Sequence, residues 1–418
     1  MEGHRPVAVV VGAGFAGLPA VRRLASGPVD VVLVDRHNYN TFHPLLYQVA
    51  TAGIDEGGVA HTIRASFARY ANVDVRLASL VGLDRDRRVV ALDDGQNLSY
   101  DALVLAIGAT TNDYGVPGVA EHSFPLYTLP EAIRLREHVL RWFEAAERDP
   151  SLVDEGALTC VMVGGGPTGV ETAGTMVELF SKVLSKGYHR ADVTRARVVL
   201  VEMGTELLST FRPASRRHAR EILEARGVDV RFGERVARVT AGGLVLASGE
   251  ELAARTVVWT AGVQANPIAD RLGLVRGEGG RIVVGPDLSV PDAPEIFVVG
   301  DLSAPPSSNG RLLPQLAPVA MQEGRHAGEQ VLRRLAGQTT RPFRFRDKGT
   351  MATIGRRAAV ADLPLGISLR GTVAWLAWLF LHLIYIMGFE NRAQVLVQWA
   401  WNYVTWDWGP RLVLDSHE

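Results

Sequence analysis

The strongest constraint on this chain is a pattern that occurs twice. Val7–Val11 is a β-branched run that meets Gly12, Gly14 and Gly17, then a helix-like stretch Leu18–Ala25, with Val31–Val34 predicted as the next strand. The same order returns as Thr159–Val163, the turn Gly164–Gly169, a helix predicted to about Leu184, and a strand Arg197–Val201. Continuous apolar strands alternating with helices belong to parallel sheets buried on both faces. The expected fold is therefore α/β and internally duplicated.

Both turns fit G-x-G-x-x-G at the end of a strand and the start of a helix, where the spacing has a physical meaning. The first glycine makes the tight turn, the second lets a pyrophosphate approach backbone amides, and the third lets helix pack on strand. Asp35 ends the second strand of the first copy, 18 residues after Gly17, and is placed to accept ribose hydroxyls. Gly164, Gly166 and Gly169 repeat the turn, and Glu202 closes Val-Val-Leu-Val-Glu. A carboxylate there bonds the 2'-hydroxyl of NADH and repels the 2'-phosphate of NADPH, and Met203 and Gly204 bring no arginine to compensate. Two dinucleotide sites are expected, the second selective for NADH. The glycines do not decide what the first one holds.

Composition narrows the chemistry. Lys and Arg (44) balance Asp and Glu (45), so there is no basic field for nucleic acid. Cys160 is the one cysteine in 418 residues, which excludes an intramolecular disulfide and any two-thiol redox centre within the chain. Its place inside the strand ahead of the second glycine turn predicts a buried structural thiol. Met1 to Arg5 runs straight into the first strand without a secretory h-region, so a cytoplasmic chain is expected.

Pro130–Arg148 reads as an amphipathic helix, Asp149–Gly156 as a linker, and residues 228–260 as a β-meander with Gly-Glu, Gly-Gly and Ser-Gly-Glu turns. Glu295–Gly300 is another buried strand. Beyond Phe343 the composition changes, and six of the eight tryptophans (Trp375, Trp378, Trp399, Trp401, Trp406 and Trp408) gather near the end.

Several segments resemble two-dinucleotide flavoproteins. Tyr100–Ala109 is similar to the strand and turn leading out of their FAD domain, Glu295–Asp301 (Glu-Ile-Phe-Val-Val-Gly-Asp) to their second FAD signature, and Trp259–Val263 to the return from the inserted nicotinamide domain. Asn38–Gly53 with Phe-His-Pro-Leu-Leu-Tyr-Gln-Val-Ala-Thr, Gly164–Glu171, Leu316–Gly324 and Asp347–Arg356 resemble the type II NADH dehydrogenases, single-subunit NADH:quinone oxidoreductases, essentially end to end. The resemblance implies two Rossmann-like domains, for FAD and NADH, with a C-terminal helical membrane-anchoring region. The implied boundaries are 1–112 and 265–342 for FAD, 113–264 for NADH and 343–418 for the anchor.

It also implies site residues. FAD falls to Gly12, Ala13, Gly14, Phe15, Ala16, Gly17, Asp35, Arg36, Leu80, Gly108, Asp301, Ala317 and Pro318, and NADH to Gly164, Gly166, Gly169, Glu202 and Gly262. Pro44, Gln48 and Gln322 fall on the quinone side, although relatives often carry glutamine where this chain has Pro318, which bears on quinone contact. Glu171 is expected to handle a proton or orient substrate, though the helix dipole alone also favours an acid there. Lys348 is expected to offset the charge of the reduced flavin, with a solvated turn lysine as the alternative.

Gly371–Phe389 is a 19-residue uncharged stretch, long enough to span a bilayer. Asn391, Gln394, Gln398, Asn402 and Thr405 then form a polar helical stripe, read as lying opposite Val395, Trp399, Tyr403 and Trp406, which suits a helix in the interface plane. His382 is read as packed or interfacial, and no metal-binding pattern surrounds it. The expected protein transfers hydride from NADH to FAD and two electrons to a membrane quinone without pumping protons, on the cytoplasmic face of the cell membrane, with a homodimer as the assembly carried by resemblance. A soluble reductase of a ferredoxin-like protein and a redox-sensing flavoprotein remain the alternatives.

Overall fold

The computed structural model describes residues 5–306, 310, 312–406, 408–409 and 411–413, so the first four residues of the N-terminal reading and the last five of the C-terminal region lie outside it. The chain divides into two compact units, 1–40 with 61–110 and 263–347, and 41–60 with 111–262 and 348–418.

The first unit is built on a six-stranded sheet in the order Ser289–Val290, Ala293–Val298, Ala102–Leu105, Val7–Val11, Asp30–Asp35, Val73–Leu77. Val7–Val11 is the central strand, parallel to both neighbours with Val10 opposite Leu33 and Val104. Ala8, Val9, Val10, Leu33 and Leu103 to Leu105 are fully buried, as a strand covered on both faces requires. The helix Gly17–Leu24 lies against the helix Ala317–Leu335 at very short range. A Cβ on Gly324 would sit 1.8 Å from the Ala16 carbonyl oxygen, and one on Gly328 2.8 Å from that of Ala20. Two glycines one turn apart thus let the backbones touch.

The second unit repeats the plan with five parallel strands in the order Phe124–Pro125, Thr256–Trp259, Thr159–Val163, Arg197–Glu202, Val228–Phe232. Two ends of the expected meander therefore belong to the main sheet. Thr256–Trp259 is buried along its whole length, and only Val236–Thr240, Gly243–Leu246 and Glu251–Ala253 form the antiparallel ribbon. The helix Leu129–Arg148 starts at a capping box in which Thr128 and Glu131 satisfy each other's backbone amides. Asp149–Gly156, expected as a linker, is a 3-10 turn and a left-handed glycine inside this unit.

The helix after the second glycine turn is Pro167–Glu178, continued by a π turn over Leu179–Val183. A Cβ on its Gly174 would meet the Ile354 carbonyl oxygen at 2.3 Å, which brings the three-stranded sheet Thr350–Gly355, Ala358–Asp362, Ser368–Arg370 onto this helix. Arg226 and Glu178 form an ion pair beside it, and Arg226 and the Arg356 amide complete the pin with bonds of 2.7 Å to the Arg356 carbonyl and Glu178 respectively.

The C-terminal segment forms two helices, Gly371–Tyr385 and Phe389–Thr405, broken at Gly388 with φ +82°. Among the described residues no helix is long and apolar enough to cross a membrane, so the 19-residue stretch does not fold as one span. The polar stripe is also turned the other way from expectation. Asn391 donates to the Gly57 and Ala60 carbonyls at 2.6 and 2.8 Å, Gln398 to the Asp55 carboxylate, and Asn402 to the Gly53 carbonyl. Val395 and Trp399 are buried on that same inward side, whereas Phe389 and Val404 are 85% and 81% exposed. The physical reason is that carbonyls of a packed turn segment need donors, and Asn and Gln supply them.

Candidate functional site

The first glycine turn is shaped from within the first unit. Gly12 has φ +101°, and a Cβ on Gly17 would lie 1.7 Å from the Gly12 carbonyl oxygen, so neither position admits a side chain. Nothing lies within 4 Å of where a Cβ of Gly14 would be, leaving the space a phosphate needs. Asp35 accepts from the Ala13 amide at 2.6 Å and the His37 amide at 2.8 Å, so the acid meant for a ribose also closes the turn. Asn40, not foreseen from sequence, donates to the Ala13 carbonyl at 2.7 Å. Ala13 and Ala16 are buried, Phe15 half-buried and Arg36 exposed. Leu80 is buried at the start of the strand Leu80–Asp84, and Gly108 is left-handed at φ +68°.

Asp301 sits in the 3-10 turn Gly300–Leu302. Behind it lies a polar cluster that sequence did not reveal. Glu323, fully buried, accepts from the Gly300 amide at 2.6 Å and from Ser303 Oγ at 2.9 Å. Arg281 donates to the Ser303 and Leu313 carbonyls at 2.6 and 3.0 Å. Burial pushes the Glu323 carboxyl up to about 8 against these bonds and the Arg281 charge. Ala317 and Pro318 open the helix Ala317–Leu335, whose amino end is a positive terminus. Gln322 spends its amide on the Pro318 and Arg346 main chain at 3.0 to 3.1 Å.

The second turn has the same build. Gly164 has φ +109°, a Cβ on Gly169 would lie 1.9 Å from the Gly164 carbonyl oxygen, and the Cβ position of Gly166 is open. Glu202 accepts from the amides of Gly165 and Gly204, both at 2.6 Å. Gly262 has φ +154°, beside the Tyr114 hydroxyl.

Glu171 lies in the second turn of the helix this loop opens. It is buried, with its Oε1 accepting from the Thr353 amide at 3.2 Å. Burial pushes its carboxyl up to about 8, opposed by the Thr353 amide and the Trp378 indole. An acid held there only by the helix dipole would be solvated, and this one is not. Gln48 is buried and accepts from Trp399 Nε1 at 2.7 Å while donating to the Tyr47 hydroxyl at 2.9 Å. Tyr47 in turn meets Thr353 Oγ1 at 3.0 Å. Glu171 and Gln48 are thus brought together through two residues, Tyr47 and Thr353, that sequence did not single out. Pro44 sits in the 3-10 turn His43–Leu45 ahead of them. Lys348 is exposed ahead of the strand Thr350–Gly355, five residues from Thr353 and so about 17 Å along extended chain.

His382 is packed, its ring stacked on Trp378 at 3.8 Å with Nδ1 against the Trp378 carbonyl at 2.8 Å, and burial holds it down at about 4. Cys160 is fully buried, and burial pushes its thiol up, which keeps it from thiolate chemistry.

Residues 7–324 match the family model for pyridine nucleotide-disulphide oxidoreductases, and residues 348–405 match that for the NDH2 C-terminal domain. The chain is 34% identical over 425 residues to the type II NADH:quinone oxidoreductase Ndh of Mycobacterium tuberculosis, spanning 98% of this chain and 90% of that one. It is 31% identical to the mitochondrial internal alternative NAD(P)H-ubiquinone oxidoreductase A1 of Arabidopsis thaliana, spanning 96% and 85%. In fold it is similar to NDH2 from Plasmodium falciparum, solved in complex with NADH, with a TM-score of 0.88 at 18% identity over 99% of this chain and 100% of that one.

Proposed function

The chain belongs to the type II NADH:quinone oxidoreductase family, and from that footing we propose that it is an FAD-dependent enzyme that oxidises NADH and reduces a membrane quinone without pumping protons. The observation that carries this reading is the pair of glycine turns, each open at its middle glycine and each closed by a strand-end carboxylate.

The first turn fits FAD. Gly14 leaves room for the pyrophosphate, Asp35 retains lone pairs for a ribose, and the Gly300–Asp301 turn with the amino end of the helix Ala317–Leu335 faces negative charge favourably. FAD, when bound, supplies the chemistry that takes a hydride and returns two electrons. The second turn takes NADH, with Glu202 repelling a 2'-phosphate.

Reducing a quinone to a quinol with one NADH consumes one further proton. Glu171, neutral below about 8, holds one out of solvent in the second unit. Activity should therefore fall as pH rises through that value. Lys348 is proposed, on the resemblance, to offset the charge of the reduced flavin, and Pro44, Gln48 and Gln322 to serve the quinone side.

Membrane attachment is proposed through the outward apolar side chains of the last two helices, among them Phe380, Ile384, Phe389, Leu396, Trp401 and Val404. The same reading extends to a homodimer on the cytoplasmic face. Vesicle co-sedimentation and light scattering test these two statements, and acidification of sealed vesicles on NADH addition would contradict the absence of pumping.

The deciding assay is NADH oxidation by the flavin-loaded protein with and without a soluble quinone. Quinone-dependent turnover that favours NADH over NADPH is expected. Turnover that requires a ferredoxin-like protein, or NADH binding without turnover, would overturn the reading.

A further inference from the structure

The last helix does more than carry an apolar face, because one of its inward side chains begins a run of hydrogen bonds that reaches the side chain of Thr353, the residue whose amide binds Glu171. Trp399 Nε1 donates to Gln48 Oε1 (2.7 Å), Gln48 Nε2 donates to the Tyr47 hydroxyl (2.9 Å), that hydroxyl meets Thr353 Oγ1 (3.0 Å), and the Thr353 amide donates to Glu171 Oε1 (3.2 Å). All five residues are at least nine-tenths buried. An indole nitrogen can only donate, so it fixes which end of the Gln48 amide faces Trp399 and which faces Tyr47. With its oxygen already accepting from Gln48, Tyr47 is set to direct its own proton at Thr353.

We propose that Trp399 is a positioning residue for Glu171, acting through Gln48, Tyr47 and Thr353. The inference rests on the proton-handling role given to Glu171 above. The run of bonds ends on the Thr353 side chain and the Thr353 amide favours the ionised acid, so the run acts on Glu171 by holding Thr353 in place. Without the indole donor the Gln48 amide is free to flip, Tyr47 loses its imposed sense, and the ionised form of Glu171 is less well supported.

Glu171 takes its direct support from the Thr353 amide and the Trp378 indole, and Tyr47 is the titratable side chain near it. Arg226, beyond the helix Pro213–Ala225, pairs with Glu178 two turns along from Glu171 on the same helix, where the Arg356 amide also binds, while the Arg356 guanidinium lies over the Tyr403 and Trp406 rings. Cys160 on the adjoining strand is neutral. Tyr47 is held neutral by burial and by the nearby Glu171, and Tyr403 adds to the same effect.

The test is the pH profile of kcat with a soluble quinone for wild type and for Trp399→Phe, Thr353→Val and Glu171→Gln, each at matched flavin content. Trp399→Phe keeps the ring and loses the donor, while Thr353→Val loses Oγ1 and keeps the amide. Both are expected to move the alkaline limb upward by about one pH unit and to leave the KM for NADH in place. Glu171→Gln is expected to abolish the limb. A limb that vanishes in Glu171→Gln yet stays fixed in the other two overturns the inference and leaves the Glu171 reading intact. A limb that survives Glu171→Gln overturns the Glu171 reading itself. If Trp399→Phe fails to fold, Thr353→Val decides alone.

Discussion

The two glycine turns are nearly the same object set in different surroundings. Their first glycines have φ +101° and +109°, their third glycines leave 1.7 and 1.9 Å between a would-be Cβ and a carbonyl, and each middle glycine is open. What differs is the cover. The helix after the first turn is crossed by another helix through Gly324 and Gly328, whereas the helix after the second receives the edge of a small sheet through Gly174. Each unit also buries one glutamate near its turn, Glu323 in the first and Glu171 in the second. Glu323 accepts through Oε2 from the Gly300 amide and the Ser303 hydroxyl of the Asp301 turn, while Glu171 accepts from the Thr353 amide with the Trp378 indole beside it. The two turns share one geometry and differ in the element that covers the helix behind each.

The largest effects should come from breaking each turn in the same way. Gly17→Ala is expected to yield protein purified without flavin. Gly169→Ala should keep its flavin spectrum and lose NADH kcat/KM by roughly 100-fold or more, about 3 kcal/mol of binding and placement. If Gly169→Ala also came out colourless, the two turns would not be independent sites.

Next in size is the acid at the strand end. Glu202→Gln should raise the NADPH-to-NADH ratio of kcat/KM by about 10-fold, since it removes a charge that repels a 2'-phosphate while its remaining oxygen keeps one of the two bonds to Gly165 and Gly204. Asp35→Asn should lower flavin retention and leave that ratio alone, and a changed ratio there would undo the assignment of nucleotides to turns.

The buried glutamates give a smaller effect with a definite sign. Each has its folded value raised from 4.5 to about 8, so its contribution to stability is fully present below pH 4.5 and is lost as pH rises through 8. Glu323→Gln should flatten that loss, with a Tm gap over wild type that opens by a few degrees between pH 6 and 9. Equal slopes for the two proteins would mean Glu323 is ionised throughout. Smallest of all, Gly14→Ala and Gly166→Ala meet no atoms in the protein itself, so their stability should change by less than about 0.5 kcal/mol while ligand affinity falls.

Much of this was legible in the chain because glycine spacing and strand-end acids are local signals. Val7–Val11, Gly12 to Gly17, Asp35, the second copy and Glu202 all stand within one supersecondary unit. Glu171 could be named because it follows the second turn directly. Tyr47 and Thr353 could not, since they are 306 residues apart and meet only through the tertiary fold. Glu323 sits in a helix of ordinary amphipathic pattern, where nothing local distinguishes a buried acid from a solvated one. The polar stripe of the last helix shows the limit most clearly. Periodicity reveals that Asn391, Gln398 and Asn402 share a side, and it is silent on whether that side meets water or carbonyl groups.

That inward stripe has a consequence for how such chains vary. The donors at 391, 398 and 402 answer acceptors at 53, 55, 57 and 60, so the tail and that short segment form a matched set. A chimera that takes residues 366–418 from a relative should need residues 43–60 from the same relative to recover stability, and a simple truncation would strip the hydrogen-bond donors and cover from residues 53–60 rather than merely release an anchor. Drift in one segment is therefore tied to drift in the other, across more than three hundred positions of intervening sequence.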